Sequence, residues 1–329
     1  MARYDVYGLG NALLDIECEV SVETLQTLGI DKGVMTLLDE AAQNNILGHL
    51  SGCSTKQTSG GSAANTIIAV SQFGGSAFYS CKVADDEFGQ FYLKDMAECG
   101  VDSNLQKQAP GDGITGKCLV LVTPDADRTM NTFLGISSTF SEAELDAEAI
   151  ANSEYTYIEG YLVTGENSKA AAIKARELAT AAGQKTSLTL SDLNMVKFFK
   201  DGLLEMIGPG VDLLFANESE ALAMADTEDL DEAIAHLKTL AKTFAITLGA
   251  KGSVIFDGEN LIEIAGYPVK AIDTVGAGDM YAGGVLYGIT HGLSWADAGK
   301  LGSLASSKLV TSLGARLKTE ETKALLSEI

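Results

Sequence analysis

Apolar and polar positions along the chain alternate between a strand period and a helix period. The reading begins with a buried strand at 4–8, a short helix at 21–28 capped by Ser21, and helices at 39–50, 63–73 and 86–99, with a strand at 78–83 among them. From residue 155 the rhythm is regular: strands at 155–159, 185–190, 212–216 and 243–247 alternate with helices at 168–182, 196–207, 218–225 and 230–240. A β-pair at 253–256 and 261–264 surrounds the turn Asp257-Gly258-Glu259-Asn260, and a helical tail rich in small residues follows. Strand–helix alternation of this kind implies a mostly parallel sheet covered on both faces, with ligands gathering beyond the carboxyl ends of the strands.

Some segments break the rhythm. Leu14, Ile16, Cys18 and Val20 alternate with polar positions, so Asp15 faces away from its apolar neighbours. Strand-like pieces at 34–38, 115–122 and 128–133 join it, the last two meeting at the hairpin turn Pro124-Asp125-Ala126-Asp127. Together they predict one small antiparallel lid. The expected division is a large α/β body (1–11, 58–110 and 136–329) and a lid (12–57 and 111–135). A helix at 141–151 carries acids in its first turns, which complement its dipole.

Composition narrows the function. The net charge of −22 argues against sequence-independent nucleic-acid binding, which depends on Lys and Arg. It also means that a polyanion must be received by local donors and a metal, against the overall field. The five cysteines lack any Cys-x-x-Cys spacing, which fits reduced thiols better than disulfides or a zinc site. With no signal peptide and no apolar run of bilayer length, the expected setting is cytoplasmic, with no membrane partner.

Candidate chemistry concentrates in Asp273-Thr274-Val275-Gly276-Ala277-Gly278-Asp279, where a helix is predicted to begin at about Ala277. The amides of Gly276, Ala277 and Gly278 form a candidate anion hole, because a first helical turn has unpaired N–H donors and partial positive charge. Asp279 beside that hole suits a base that takes a proton from an alcohol during phosphoryl transfer. The plain alternative is an ordinary strand-to-helix turn with an acidic first residue. Asn217 and Glu220 lie three apart, so both can face one hydrated cation, although a helix cap explains the same spacing. Arg128 starts a lid strand and either delivers charge to a transferring phosphate or is a solvated turn residue.

Two motifs are set aside. Gly111 to Lys117 nearly spells a P-loop, but Cys118 replaces the Ser or Thr and a strand-like run follows instead of a helix. Gly8-Leu9-Gly10 lacks the third glycine of a dinucleotide fingerprint.

The string 273–279, together with Ser59-Gly60-Gly61-Ser62-Ala63-Ala64-Asn65-Thr66, resembles the paired signatures of the PfkB (ribokinase-like) carbohydrate and nucleoside kinases. The resemblance implies a ribokinase-like three-layer α/β/α fold with a β lid, and an ATP- and Mg²⁺-dependent kinase. It leaves room for a monovalent cation such as K⁺, and for a monomer or a homodimer. It implies that Thr247, Gly249, Gly252 and Ser303 border ATP, and that Asn217 and Glu220 organise Mg²⁺, through water. Several strings, including Gly10 to Ile16 and Tyr157 to Tyr161, are similar to the adenosine kinase-like branch. There Asp15 would grip vicinal ribose hydroxyls, with Asn11, Gly60, Gly61, Ser62 and Asn65 lining the sugar pocket. The branch carries an aromatic residue on the base where this chain is expected to place Leu162, with Tyr161 adjacent; near Gly33 it carries a polar side chain that this chain lacks. The implied activity is phosphorylation of the 5′-type hydroxyl of a ribonucleoside. The alternatives are a kinase for a free sugar such as ribose, fructose or ketogluconate, and a non-catalytic nucleotide- or sugar-binding protein.

Overall fold

A computed structural model describes residues 3–33, 35–50, 55–125 and 128–329. Met1, Ala2, Val34 of the expected strand at 34–38, Cys53, and Ala126 and Asp127 of the expected hairpin turn lie outside the described residues.

Fourteen strands are described: β1 (Tyr4–Leu9), β2 (Leu13–Glu19), β3 (Met35–Leu37), β4 (Thr55–Gly60), β5 (Ala77–Ser80), β6 (Val101–Ser103), β7 (Gly116–Val122), β8 (Arg128–Phe133), β9 (Ser153–Glu159), β10 (Lys185–Thr189), β11 (Val211–Asn217), β12 (Ala241–Thr247), β13 (Gly252–Phe256) and β14 (Leu261–Ala265). Nine form the central sheet, in the order β14-β13-β12-β11-β10-β9-β1-β5-β6. Pairing is parallel from β6 to β12, and β13 and β14 are added antiparallel. The parallel strands are largely buried because helices cover both faces. On one face Leu9, Ile158, Leu188, Leu214 and Phe244 join the main core. On the other, Val6, Tyr79, Tyr157 and Phe215 pack with the helices Ser62–Phe73 and Ala277–Thr290.

The lid is a separate sheet, in the order β3-β8-β7-β2-β4. It is mixed in direction instead of antiparallel throughout, because β2 pairs with β7 and β3 with β8 in parallel. Long stretches of chain separate each of these pairs, as parallel pairing requires. β4 was not expected as a strand, and it runs through the lid boundary expected at 57/58. Period-two alternation decides the faces. Leu14, Ile16, Cys18, Leu119 and Leu121 pack with the outer helical residues Leu25 and Ile46, whereas Asp15 turns inward to the cavity between lid and body. The expected helix at 141–151 is a 3₁₀ turn (Glu142–Glu144) followed by the helix Ala147–Ala151. The Ser141 capping box closes the first turn before the second begins. Among the described residues, no helix is long and apolar enough to cross a membrane.

The helix Ala277–Thr290 is positioned by close contacts at its glycines. A methyl group added at Gly283 would meet Ala69 Cβ at 2.6 Å, and one at Gly284 would meet Gly302 Cα at 2.9 Å. Backbone approach therefore sets where the N-terminus of this helix points. Gly284→Val is expected to destabilise the fold by about 2 kcal/mol through overpacking. A lowered urea midpoint at unchanged slope checks it; an unchanged midpoint would mean the contact is slack.

Candidate active site

Four neighbouring parallel strands end at one cavity of about 570 Å³. Glu159, Thr189, Asn217 and Thr247 are the last residues of β9, β10, β11 and β12, and all four line it. Strand order turns back between β1 and β9, and Asn11, just after β1, lines the crevice there with Glu159. Parallel α/β sheets bind ligands at such a point.

Asp279 sits in the first turn of the helix Ala277–Thr290 and lines the cavity floor. Its Oδ1 accepts from Ser62 Oγ at 2.6 Å and its Oδ2 from Asn65 Nδ2 at 3.2 Å. Burial pushes its carboxyl up to about 6, against the lowering effects of Ser62, Asn65 and Arg316. The first bond of the helical ladder runs from the Met280 amide to the Gly276 carbonyl at 2.8 Å, so the amides of Gly278 and Asp279 precede the ladder. The Ala277 amide differs from expectation: it donates to the Thr274 carbonyl at 3.2 Å, closing the turn that enters the helix. Gly276 is required by that turn, with φ of 75° and Ala315 atoms within 2.9 Å of any added Cβ.

Asp273 anchors the loop from below. Its Oδ1 accepts from the Val275 amide at 3.0 Å and its Oδ2 from the Gly314 amide at 2.7 Å. Arg128 contacts the same carboxylate at 2.6 Å and Glu17 at 3.2 Å. Arg128 is thus engaged between lid and body and does not line the cavity, in contrast to an arginine aimed at the transferring phosphate. A buried carboxylate needs a counter-charge, which accounts for this placement.

On the acceptor side, Asp15 faces the cavity from β2, opposite Thr58 of β4 and Cys118 of β7. Burial raises its carboxyl to about 7, with Arg316 and Arg128 opposing the shift and Glu17 and Asp279 adding to it. Gly60 does not line the cavity; an added Cβ there would overlap the Asp15 carboxylate, so its role is to leave room. Gly61, with φ of 105°, lets the chain pass the Asn11 carbonyl. Leu162 is buried in the core, and Tyr161 lies on the cavity wall, as do Phe215 and Tyr281.

On the donor side, Asn217 and Glu220 form a reciprocal capping box and both line the cavity. Glu220 Oε1 accepts from Asn217 Nδ2 at 2.6 Å, Oε2 from the Asn217 amide at 2.9 Å, and burial raises the carboxyl to about 7. A carboxylate already holding two donors suits contact with a hydrated Mg²⁺ through water, not direct ligation. Among the described residues, no cluster of three or more His, Cys, Asp or Glu could cage a metal. Gly249, Gly252 and Ser303 lie outside the cavity lining: the two glycines shape the β12–β13 turn, and Ser303 is buried in the helix Trp295–Leu309.

Two contributors escape the sequence reading. Glu159 is buried, accepts from the Asn11 amide, Asn11 Nδ2 and the Ala63 amide, and has its carboxyl raised to about 7 by burial. An acid ending an apolar strand was a usable signal. Arg316 contacts Asn65, Asp95 and Ser59 from a C-terminal loop that carries no motif.

Comparison with known proteins agrees with this geometry. The family model described as pfkB family carbohydrate kinase matches residues 48–323. The chain is 31% identical to the adenosine kinase of Saccharomyces cerevisiae over 308 residues, covering 86% of this chain and 88% of the yeast protein. Among solved structures, adenosine kinase from Sinorhizobium meliloti superposes with a TM-score of 0.92 at 36% identity, covering 100% of both chains. A probable sugar kinase from Rhizobium etli superposes at 0.91 with 33% identity, also over 100% of both chains. The chain belongs to the PfkB family of carbohydrate kinases and is a phosphotransferase with an alcohol as acceptor.

Proposed function

We propose that this kinase transfers the γ-phosphoryl group of ATP to the 5′-type hydroxyl of a ribonucleoside. The observation that carries the reading is the pairing of Asp279 and Asp15 across one cavity whose lid side is apolar. Leu13, Met35, Leu37 and Met130 line that wall with Tyr161 nearby, a surface suited to a flat base more than to a free sugar. Similarity to the proteins named adenosine kinase supports the same choice. A free-sugar acceptor is the second reading, favoured by similarity to the probable sugar kinase.

Asp15 accepts hydrogen bonds from two neighbouring ribose hydroxyls, which one carboxylate does well. Asn11 and Asn65 hold the rest of the sugar so that its terminal hydroxyl meets Asp279. Ser62 and Asn65 fix the Asp279 carboxylate, leaving its remaining lone pairs for that hydroxyl. As the hydroxyl attacks phosphorus and ADP leaves, Asp279 takes its proton, while the amides of Gly276 and Gly278 face the phosphoryl oxygens. Asn217 and Glu220 would hold a hydrated magnesium ion through its waters, and the ion would offset the charge of the donor phosphates. The lid sheet closes over the acceptor and excludes water, which competes for the phosphoryl group.

Three outcomes are expected. Asp279→Asn should lower kcat roughly a hundredfold or more with the fold intact, measured by coupled ADP release from Mg-ATP and adenosine; near-normal turnover would remove its role as base. A base must be ionised to accept a proton, and the Asp279 carboxyl lies at about 6. kcat/KM should therefore begin to fall as pH drops below about 7, where Asp15 loses the charge that accepts the ribose hydroxyls. It should fall more steeply than tenfold per pH unit below about 6 and level off only above about 7, with no plateau reaching down to pH ~4, the ordinary carboxylate range. In a screen of nucleosides against ribose, fructose and ketogluconate, ribonucleosides should give the higher kcat/KM. Their 2′-deoxy analogues should lose at least about a hundredfold, because Asp15 is left unpaired; equal use of deoxy and ribo forms would exclude vicinal-hydroxyl recognition by Asp15.

A further inference from the structure

The Arg316 guanidinium lies behind the cavity wall and is used on every side. Nε donates to Asn65 Oδ1 at 3.1 Å, one terminal nitrogen to Asp95 Oδ2 at 3.0 Å, and the other to Ser59 Oγ at 3.0 Å. These partners come from different parts of the molecule. Ser59 is the penultimate residue of the lid strand β4, Asp95 belongs to the body helix Glu87–Glu98, and Asn65 lies one turn into the helix that follows Gly61. Ser59 also donates to Asp95 from its hydroxyl and its amide, closing a ring of contacts at the point where lid passes into body.

A guanidinium can only donate hydrogen bonds, so Asn65 must present its oxygen to Arg316. That leaves Nδ2 pointing at Asp279 Oδ2, 3.2 Å away. Without the arginine, the Asn65 amide loses the partner that chooses between its two orientations, and the flipped one would set an oxygen against the carboxylate.

We propose that Arg316 is a positioning residue for phosphoryl transfer: through Asn65 it fixes the orientation of Asp279, and through Ser59 and Asp95 it locks the junction on which the lid turns. This rests on the proton-accepting role of Asp279 proposed above. The charged and titratable groups around Asp279 are Asp15, Glu159, Tyr157 and Tyr161 as well as Arg316. Of these, Arg316 supplies the positive charge that opposes burial at both Asp279 and Asp15. Cys99 also lies beside the guanidinium.

The test compares Arg316→Gln and Arg316→Lys with the parent chain. Asp279 is followed by ¹³C NMR of aspartate carboxyls, assigned with Asp279→Asn, and turnover is measured with Mg-ATP and adenosine. Arg316→Gln should move the Asp279 titration up by about one pH unit, the low end of what an opposite charge contributes. It should also lower kcat roughly tenfold or more, with a smaller change in KM for ATP, as expected for a misoriented reacting group. Arg316→Lys should keep the titration near that of the parent yet still lose kcat, because one ammonium cannot reproduce the planar fork. A folded Gln variant whose titration is unmoved overturns the proposal, whatever its rate. If that variant does not fold, a Lys variant with parental kcat overturns it. The NMR titration needs no substrate, so it separates the two claims. An active Asp279→Asn defeats the base assignment, whereas an inactive one beside an unaffected Arg316→Gln defeats only this inference.

Discussion

Everything in the proposed mechanism depends on placing a carboxylate beside a set of amide donors suited to phosphate. Two negative groups then share a small volume in a chain of net charge −22, and only local dipoles and cations can make that tolerable. The fold meets the constraint with the first turn of the helix Ala277–Thr290, held in place by backbone contacts at Gly283 and Gly284. Ser62 and Asn65 hold the carboxylate at the start of that helix without neutralising it. Burial leaves its proton affinity at about 6, high enough to draw a proton and low enough to be ionised near neutral pH.

The second constraint is that lid and body meet through charge. Arg128 of the lid reaches Asp273, and Asp273 in turn holds the amides of Val275 and Gly314. The loop that precedes the helix Ala277–Thr290 is therefore braced by a residue of the lid.

Much of this was legible in the sequence because periodicity reports burial. The strands from 155 onward were readable because they alternate regularly with helical segments, and Asp15 was readable because the alternation of Leu14, Ile16 and Cys18 puts it on the opposite face. The polar run Thr55–Gly60 gave no such signal; it is a strand because its backbone completes the edge of the lid beside β2. Strand direction in the lid also escaped, since direction depends on long crossovers and not on local pattern. Asp279, Ser62 and Asn65 lie inside short motifs and were named in advance, whereas Arg316, 251 residues beyond Asn65, meets it only after folding. Arg128 was noticed for its charge, but its partners Glu17 and Asp273 are distant in sequence and gave it a different place.

The most direct test of the central claim is a crystal structure with a bound nucleoside, ADP, magnesium and a planar phosphoryl mimic such as aluminium fluoride. The account predicts the acceptor hydroxyl within about 2.6–3.2 Å of an Asp279 oxygen, the reach a general base requires. It also predicts the mimic's equatorial atoms facing the amides of Gly276 and Gly278. An acceptor hydroxyl directed away from Asp279, or a mimic held elsewhere in the cavity, would contradict it.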